Sequence, residues 1–140
     1  MDKDKLRPQL IRHEGEKFSA YQDSLGYWTI GVGRLIDARK GGKISHEEAM
    51  ILLDNDIEEK CKELDAHLPW WKNLDDVRQR VLVNMCFNMG IGGLLQFKNT
   101  LAHMEKGEYQ DASVGMLDST WAKQVGNRAI ELAQMMKDGA

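Results

Sequence analysis

Apolar positions along the chain follow two different periods. Leu6, Leu10 and Ile11 recur at helical spacing, which predicts a short helix from about Lys5 to Glu14 with Gly15 as its stop. Pro8 fits such a helix only near its start. From Phe18 to Ile36, aromatic and β-branched residues alternate with glycine, which is strand and turn chemistry. Lys40-Gly41-Gly42-Lys43 reads as a turn. Ser45-His46-Glu47-Glu48 reads as a capping box, in which the Ser45 hydroxyl and the Glu48 carboxylate satisfy amides reciprocally. Behind it Ala49, Leu53, Ile57, Cys61, Leu64 and Leu68 repeat every three or four residues until Pro69, predicting one long helix. Asn73 is placed to cap a further helix from Leu74 to Met89. The interior of that helix, Val81 to Phe87, is apolar nearly all round and so should be a buried centre. Gly90-Ile91-Gly92-Gly93 stops it, and shorter helices follow, divided by Gly107, Asp118-Ser119 and Gly126-Asn127. The expected class is α+β, mainly α. A small β-containing N-terminal lobe and a helical C-terminal lobe are joined by the long helix.

Composition narrows the function classes. The chain has 140 residues, 42 % hydrophobic and 29 % charged, as in a globular protein of one domain. Nineteen basic against 22 acidic side chains give a formal charge of −3, which offers nothing to a nucleic acid. Met1-Asp2-Lys3-Asp4-Lys5 leads into no apolar run. Neither a signal peptide nor a membrane span is expected, and the chain is expected to be made and kept in the cytoplasm. Cys61 and Cys86 lie on apolar helical faces and read as buried free thiols. His13, His46, His67 and His103 show no ligand spacing. His13-Glu14 begins like a zinc-protease motif, but Lys17 stands where its second histidine belongs. No metal and no cofactor are expected. Gly31-Val32-Gly33 lacks the third glycine and the βαβ context of a dinucleotide site.

The candidate chemistry lies between His13 and Leu35, in HEGEKFSAYQDSLGYWTIGVGRL. Glu14 ends a helix, and Asp23 follows in a turn-rich, wetter segment. Two carboxyl groups in different environments, one able to hold a proton and one ionised, are what a glycosidase needs. The negative end of the helix dipole and burial would favour a protonated Glu14 and a nearby arginine would oppose it, so sequence leaves the balance open, whereas Asp23 should stay ionised. Thr29 supplies a hydroxyl nearby. Carboxylates alone are a weak indication, since most are merely solvated. Trp70 and Trp71 could stack on sugar rings but read better as packing over a helix junction. Trp121, Met85, Met89 and Met104 read as core.

Several motifs in order carry a resemblance. They are Glu14-Gly15, Tyr21-Gln22-Asp23 and Gly26 to Gly33; then Leu74-Asp75-Asp76-Val77-Arg78 running into Asn84-Met85-Cys86-Phe87-Asn88-Met89-Gly90; then Phe97-Lys98-Asn99-Thr100-Leu101; and Trp121 with Asn127-Arg128-Ala129. The chain resembles the phage-type lysozymes, glycoside hydrolase family 24, over nearly its whole length. The resemblance implies a single lysozyme-like domain over 1–140. Residues 15–45 would form the small β lobe, 46–68 the connecting helix, and 1–14 with 69–140 the helical lobe. It implies hydrolysis of the β-1,4 bond between N-acetylmuramic acid and N-acetylglucosamine in peptidoglycan. By position Glu14 would be the general acid and Asp23 the second catalytic carboxylate, with Thr29 helping to hold the attacking water. Leu35, Phe87, Asn88 and Thr100 match saccharide-binding positions, and Arg128 matches an arginine that pairs with the acid.

The chain also departs from the family pattern. Arg34 replaces a histidine, with Asp56 on the long helix as its expected acidic partner. The segment after Arg34 is much shortened, and Gly115 replaces a polar cleft residue. The expected protein is a monomer with peptidoglycan as substrate and no stable membrane insertion. A separate holin would open the inner membrane, so that an endolysin made in the host cytoplasm acts in the periplasm. The alternative is a catalytically weak peptidoglycan-binding protein on the same scaffold, because a fold does not establish an activity.

Overall fold

In the computed structural model, residues 1–15 and 44–140 are described with their side chains, and 17–22, 28–31 and 34–35 as backbone. Seven α-helices are described. They are α1 (Lys3–Glu14), α2 (His46–His67), α3 (Asp76–Leu94), α4 (Lys98–Glu105), α5 (Tyr109–Leu117), α6 (Thr120–Val125) and α7 (Asn127–Asp138), with a 3₁₀ turn at Pro69–Asn73. None of the described helices is long and apolar enough to cross a membrane.

The expected α+β class, with its β-containing N-terminal lobe, is corrected to a helical one. Helix takes 83 % of residues 1–15 and 44–140, and no strand or sheet falls among them. Between them, three short backbone segments are described, Lys17–Gln22 (β1), Trp28–Gly31 (β2) and Arg34–Leu35 (β3), paired antiparallel in that order. The described apolar core of the N-terminal region comes instead from helices, namely Leu6, Leu10, Ala49, Leu53 and Ile57, each no more than 1 % exposed.

By packing, the chain divides into two compact units, Lys3–Glu59 and Met1–Asp2 with Lys60–Ala140. The boundary falls inside α2, and α1 groups with the N-terminal unit, whereas the sequence reading had set 1–14 with the C-terminal helices.

In the N-terminal unit, α1 begins earlier than its apolar pattern suggested and keeps Pro8 inside it. Proline removes the amide that would bond the Asp4 carbonyl. Burial of Leu6, Gln9 and Leu10 offsets that loss. So does Arg7, whose Nε and Nη2 donate to the two Asp54 oxygens at 2.5 and 3.3 Å. Gly15 takes a φ of +77° while its amide bonds the Ile11 carbonyl at 2.8 Å, closing the helix. The capping box forms as expected: the Glu48 amide donates to Ser45 Oγ at 3.1 Å and the Ser45 amide to Glu48 Oε1 at 3.2 Å. The Arg34 side chain lies outside the described residues, and with it the Arg34–Asp56 pair.

In the C-terminal unit, α2 stops before Pro69. Trp71 is 3 % exposed, and its indole donates to Asp65 Oδ1 at 2.8 Å. This bond, aided by Lys72, holds the Asp65 carboxyl below its usual range. Trp71 therefore packs as expected. The cap of α3 is Asp75, not Asn73: its carboxylate accepts the Arg78 amide at 3.1 Å. The run Val81 to Cys86 is wholly buried, so α3 is the centre of this unit. At Gly90 the backbone leaves the helix, with φ +76° and ψ 163°, and a further helical turn continues to Leu94. Cys86 is buried as expected, but Cys61 is only half-buried. Burial, reinforced by the nearby Glu63 charge, pushes the Cys86 thiol up to about 12, so it stays an unreactive thiol.

Candidate active site

The candidate residues fall in both units, and each set is described within its own. In the N-terminal unit, Glu14 is the last residue of α1 and is half-buried. Its position follows from the local sequence. Leu10 anchors the helix, and Gly15 releases the chain immediately after the carboxylate. Asp23 lies outside the described residues. Thr29 is placed by its backbone in β2, where it pairs with Tyr21 on β1 and with Leu35 on β3. Two expected site residues, Thr29 and Leu35, are therefore direct neighbours across two strands.

The C-terminal unit holds the other four. Phe87 and Asn88 are half-buried near the end of the apolar run in α3. The Asn88 Oδ1 accepts the Trp121 indole N–H at 2.7 Å. An indole only donates, so this bond orients the carboxamide and turns its NH₂ end, with two donors, the other way. Trp121 is itself fixed: it is 7 % exposed, and its ring meets Phe97 edge to face at 6.0 Å and 85°. Beside it lies a cavity of about 420 Å³, lined by Met89, Gln96, Phe97, Thr120, Trp121 and Gln124 among others. One aromatic wall and several side-chain amides and hydroxyls suit a polar ligand with an apolar face, as a sugar ring or a peptide is.

Arg128 opens α7 and is 9 % exposed. Its Nε and Nη2 both donate to Asn84 Oδ1, at 3.1 and 2.8 Å, and Asn84 is fully buried. One amide oxygen accepting two donors of the planar guanidinium fixes its orientation. Thr100 is only 6 % exposed, on the face of α4 that meets Gly115 of α5. A Cβ at position 115 would collide with Thr100 Oγ1 and stand 3.4 Å from Thr100 Cβ. Gly115 thus has a packing reason: it lets the two helices close on Thr100.

Sequence reasoning missed Asn84 as a partner of Arg128 and the hydrogen-bonding role of Trp121. The indication for Asn84 was present. It is the one polar residue in the run Val81 to Phe87, and a buried polar group needs a partner.

Comparison with known proteins bears on the whole chain. A family model described as phage lysozyme matches residues 11–136. Probable T4-type lysozyme 1 of Dictyostelium discoideum is 28 % identical, over 96 % of this chain and 94 % of that protein. The pre-baseplate central spike protein Gp5 of Enterobacteria phage T4 is 30 % identical over 96 % of this chain, which spans 28 % of Gp5. An endolysin of Acyrthosiphon pisum secondary endosymbiont phage 1 is 29 % identical, over 84 % of this chain and 78 % of its own length. The chain belongs to the phage lysozyme family, a family of lysozyme-like peptidoglycan hydrolases.

Proposed function

We propose that the chain hydrolyses the β-1,4 bond between N-acetylmuramic acid and N-acetylglucosamine in bacterial peptidoglycan. One observation carries the reading: the family match runs from residue 11 to 136 and so includes Glu14, Asp23 and Thr29 in one unbroken stretch. Glu14 gives its proton to the leaving glycosidic oxygen as the bond breaks. Asp23 remains ionised and, with the Thr29 hydroxyl, holds and activates the water that attacks the sugar carbon. Leu35, Phe87, Asn88 and Thr100 contact the saccharide, and Arg128 pairs with the acid. The fixed Asn88 amide and the orientation that Asn84 gives the Arg128 guanidinium support these roles. In this reading the protein works as one lysozyme-like domain and as a monomer. It reaches the periplasm from the host cytoplasm through a separate holin.

The test uses purified protein on outer-membrane-permeabilised Gram-negative cells. Turbidity is followed, and released fragments are identified by mass spectrometry. Clearing with new reducing-end sugars is expected. Glu14→Gln should slow it by about 10²–10⁴-fold while the melting temperature stays near the parent's, because an amide donates no proton to the leaving oxygen. Clearing by Glu14→Gln at the parent rate would remove Glu14 from the mechanism. Parent protein that pellets with cell walls yet releases no sugar ends would make the chain a wall-binding protein instead. Anhydro sugars in place of reducing ends would mean transglycosylation, which needs no second carboxylate.

A further inference from the structure

The C-terminal unit gathers a set of side chains that the catalytic reading leaves unused. His103 lies in the last turn of α4, Glu108 stands just before α5, and Asp111 lies in its first turn. Gly107, at φ +80°, reverses the chain between the two helices. The turn is held by backbone bonds: the Glu108 amide donates to the His103 carbonyl at 2.8 Å and the Gly107 amide to the Met104 carbonyl at 3.2 Å. Met104 and Ala112 anchor the two helices in the core, both fully buried. His103 Nδ1 comes within 3.1 Å of Glu108 Oε1. One ligand atom from each of His103, Glu108 and Asp111 lies within 4.8 Å of the other two.

We propose that His103, Glu108 and Asp111 form a binding site for a divalent transition-metal ion, with zinc as the best match. Three donors around one zinc ion sit at about 2.0–2.2 Å from it, and donor atoms gathered within 4.8 Å of one another on half-buried or exposed side chains are close to that arrangement. The imidazole selects the ion. Calcium takes six to eight oxygens and magnesium keeps a near-octahedral oxygen shell, so two carboxylates and a ring nitrogen fit neither. Without metal the His103–Glu108 contact is a hydrogen bond, and on binding the ion replaces the proton between them. With three protein ligands and solvent on the open side, the fourth position falls to water. Sequence spacing concealed the set, because its members are five and eight residues apart across a helix–turn–helix. The site shares no residue with the proposed catalytic set and does not rest on that reading.

The test is calorimetric titration of the full chain, stripped with chelator, with zinc chloride in a non-coordinating buffer. Calcium and magnesium are run in parallel. Expected is one zinc equivalent per chain and no heat from the other two ions. His103→Ala should weaken zinc binding by more than the roughly 10–100-fold that loss of an outer partner costs. Asp111→Asn, which leaves the helix intact, should weaken it in the same direction, and His67→Ala should leave it unchanged. Chemical shifts of the His103 ring should move with zinc in the parent. No zinc uptake, or uptake that survives His103→Ala unchanged, would overturn the proposal.

Discussion

Arg7 in the N-terminal unit and Arg128 in the C-terminal unit are held in opposite ways. Arg7 reaches two carboxylates, Asp54 and Asp4, and its side chain is 27 % exposed. The Asp54 hydrogen bond raises its affinity for its proton still further. Its charge is spent locally, on tying α1 to α2. Arg128 is 9 % exposed and bound by Asn84, an acceptor with no charge. A buried cation needs hydrogen-bond partners to offset its lost hydration, and Asn84 accepts two such bonds from Arg128. The contrast separates a partly exposed arginine held by carboxylates from a buried one oriented by an amide.

The largest expected effect comes from breaking the two partnerships in parallel. Asn84→Leu keeps the branched shape and removes the acceptor, leaving the two donors that Asn84 held on a buried guanidinium unmatched there. It should cost about 1–3 kcal/mol, toward the upper end because the donor is charged. Asp54→Asn removes one carboxylate from a partly exposed pair and should cost only about 0–1 kcal/mol. Urea unfolding of both variants beside the parent reads the difference. Equal losses would mean that burial does not set how much each arginine's partner contributes.

A smaller effect is expected where α4 meets α5. Gly115→Ala gains up to about 1 kcal/mol of helix propensity. It also drives a methyl group into Thr100 Oγ1. Threonine is stiff at its first side-chain torsion and cannot swing clear cheaply. Overpacking of this kind costs about 1–3 kcal/mol, so a net loss near 1 kcal/mol is expected. Thr100→Ala in the same chain should restore stability, with an interaction energy well above additivity error. A Gly115→Ala variant as stable as the parent would show that the helices have room to part.

Legibility in the sequence followed the range of the interaction. The Ser45–Glu48 capping box was readable because both partners lie within one turn. The buried run Val81 to Cys86 and the breaks at Gly107, Asp118-Ser119 and Gly126 were readable from apolar period and turn chemistry. Asn73 fits a cap by residue type, but Asp75 fits as well, and the Arg78 amide decides for Asp75. The β-containing lobe was over-read. Alternation marks strands but does not say which elements supply the core, and the described core there comes from α1 and α2. At the candidate site, Glu14 at a helix end was legible. The Asn84–Arg128 and Asn88–Trp121 bonds join residues 44 and 33 positions apart, which no local pattern records.

Arg78 separates the kind of partner from the unit that holds it. It lies in the C-terminal unit like Arg128 but bonds a carboxylate like Arg7: its Nη1 donates to Asp75 Oδ1 at 2.8 Å. Burial alone pushes the Asp75 carboxyl up. The Arg78 side chain, the Arg78 amide and the Arg78 charge together outweigh it, and the net direction is down. A carboxyl depressed in the folded state contributes stability that is present above the unfolded aspartate value of about 3.9 and is lost as pH falls through the lower folded value. The Asp75 side chain is 39 % exposed, so solvent screening keeps that contribution within about 0–1 kcal/mol. Asp75→Asn isolates it, because asparagine caps a helix as well as aspartate but carries no charge. Asp75→Ala removes the cap too and should cost roughly 1 kcal/mol more at every pH. Unfolding free energies measured from about pH 2 to pH 7 should show parent and Asp75→Asn diverging above the folded value and converging below it. Arg78 keeps other partners in both, donating to the Met136 and Lys137 carbonyls and lying 3.6 Å over the Tyr109 ring. A gap between the two proteins that stays constant to the lowest pH would mean that geometry, not charge, makes Asp75 the better partner. The distinction drawn between Arg7 and Arg128 would then rest on burial alone.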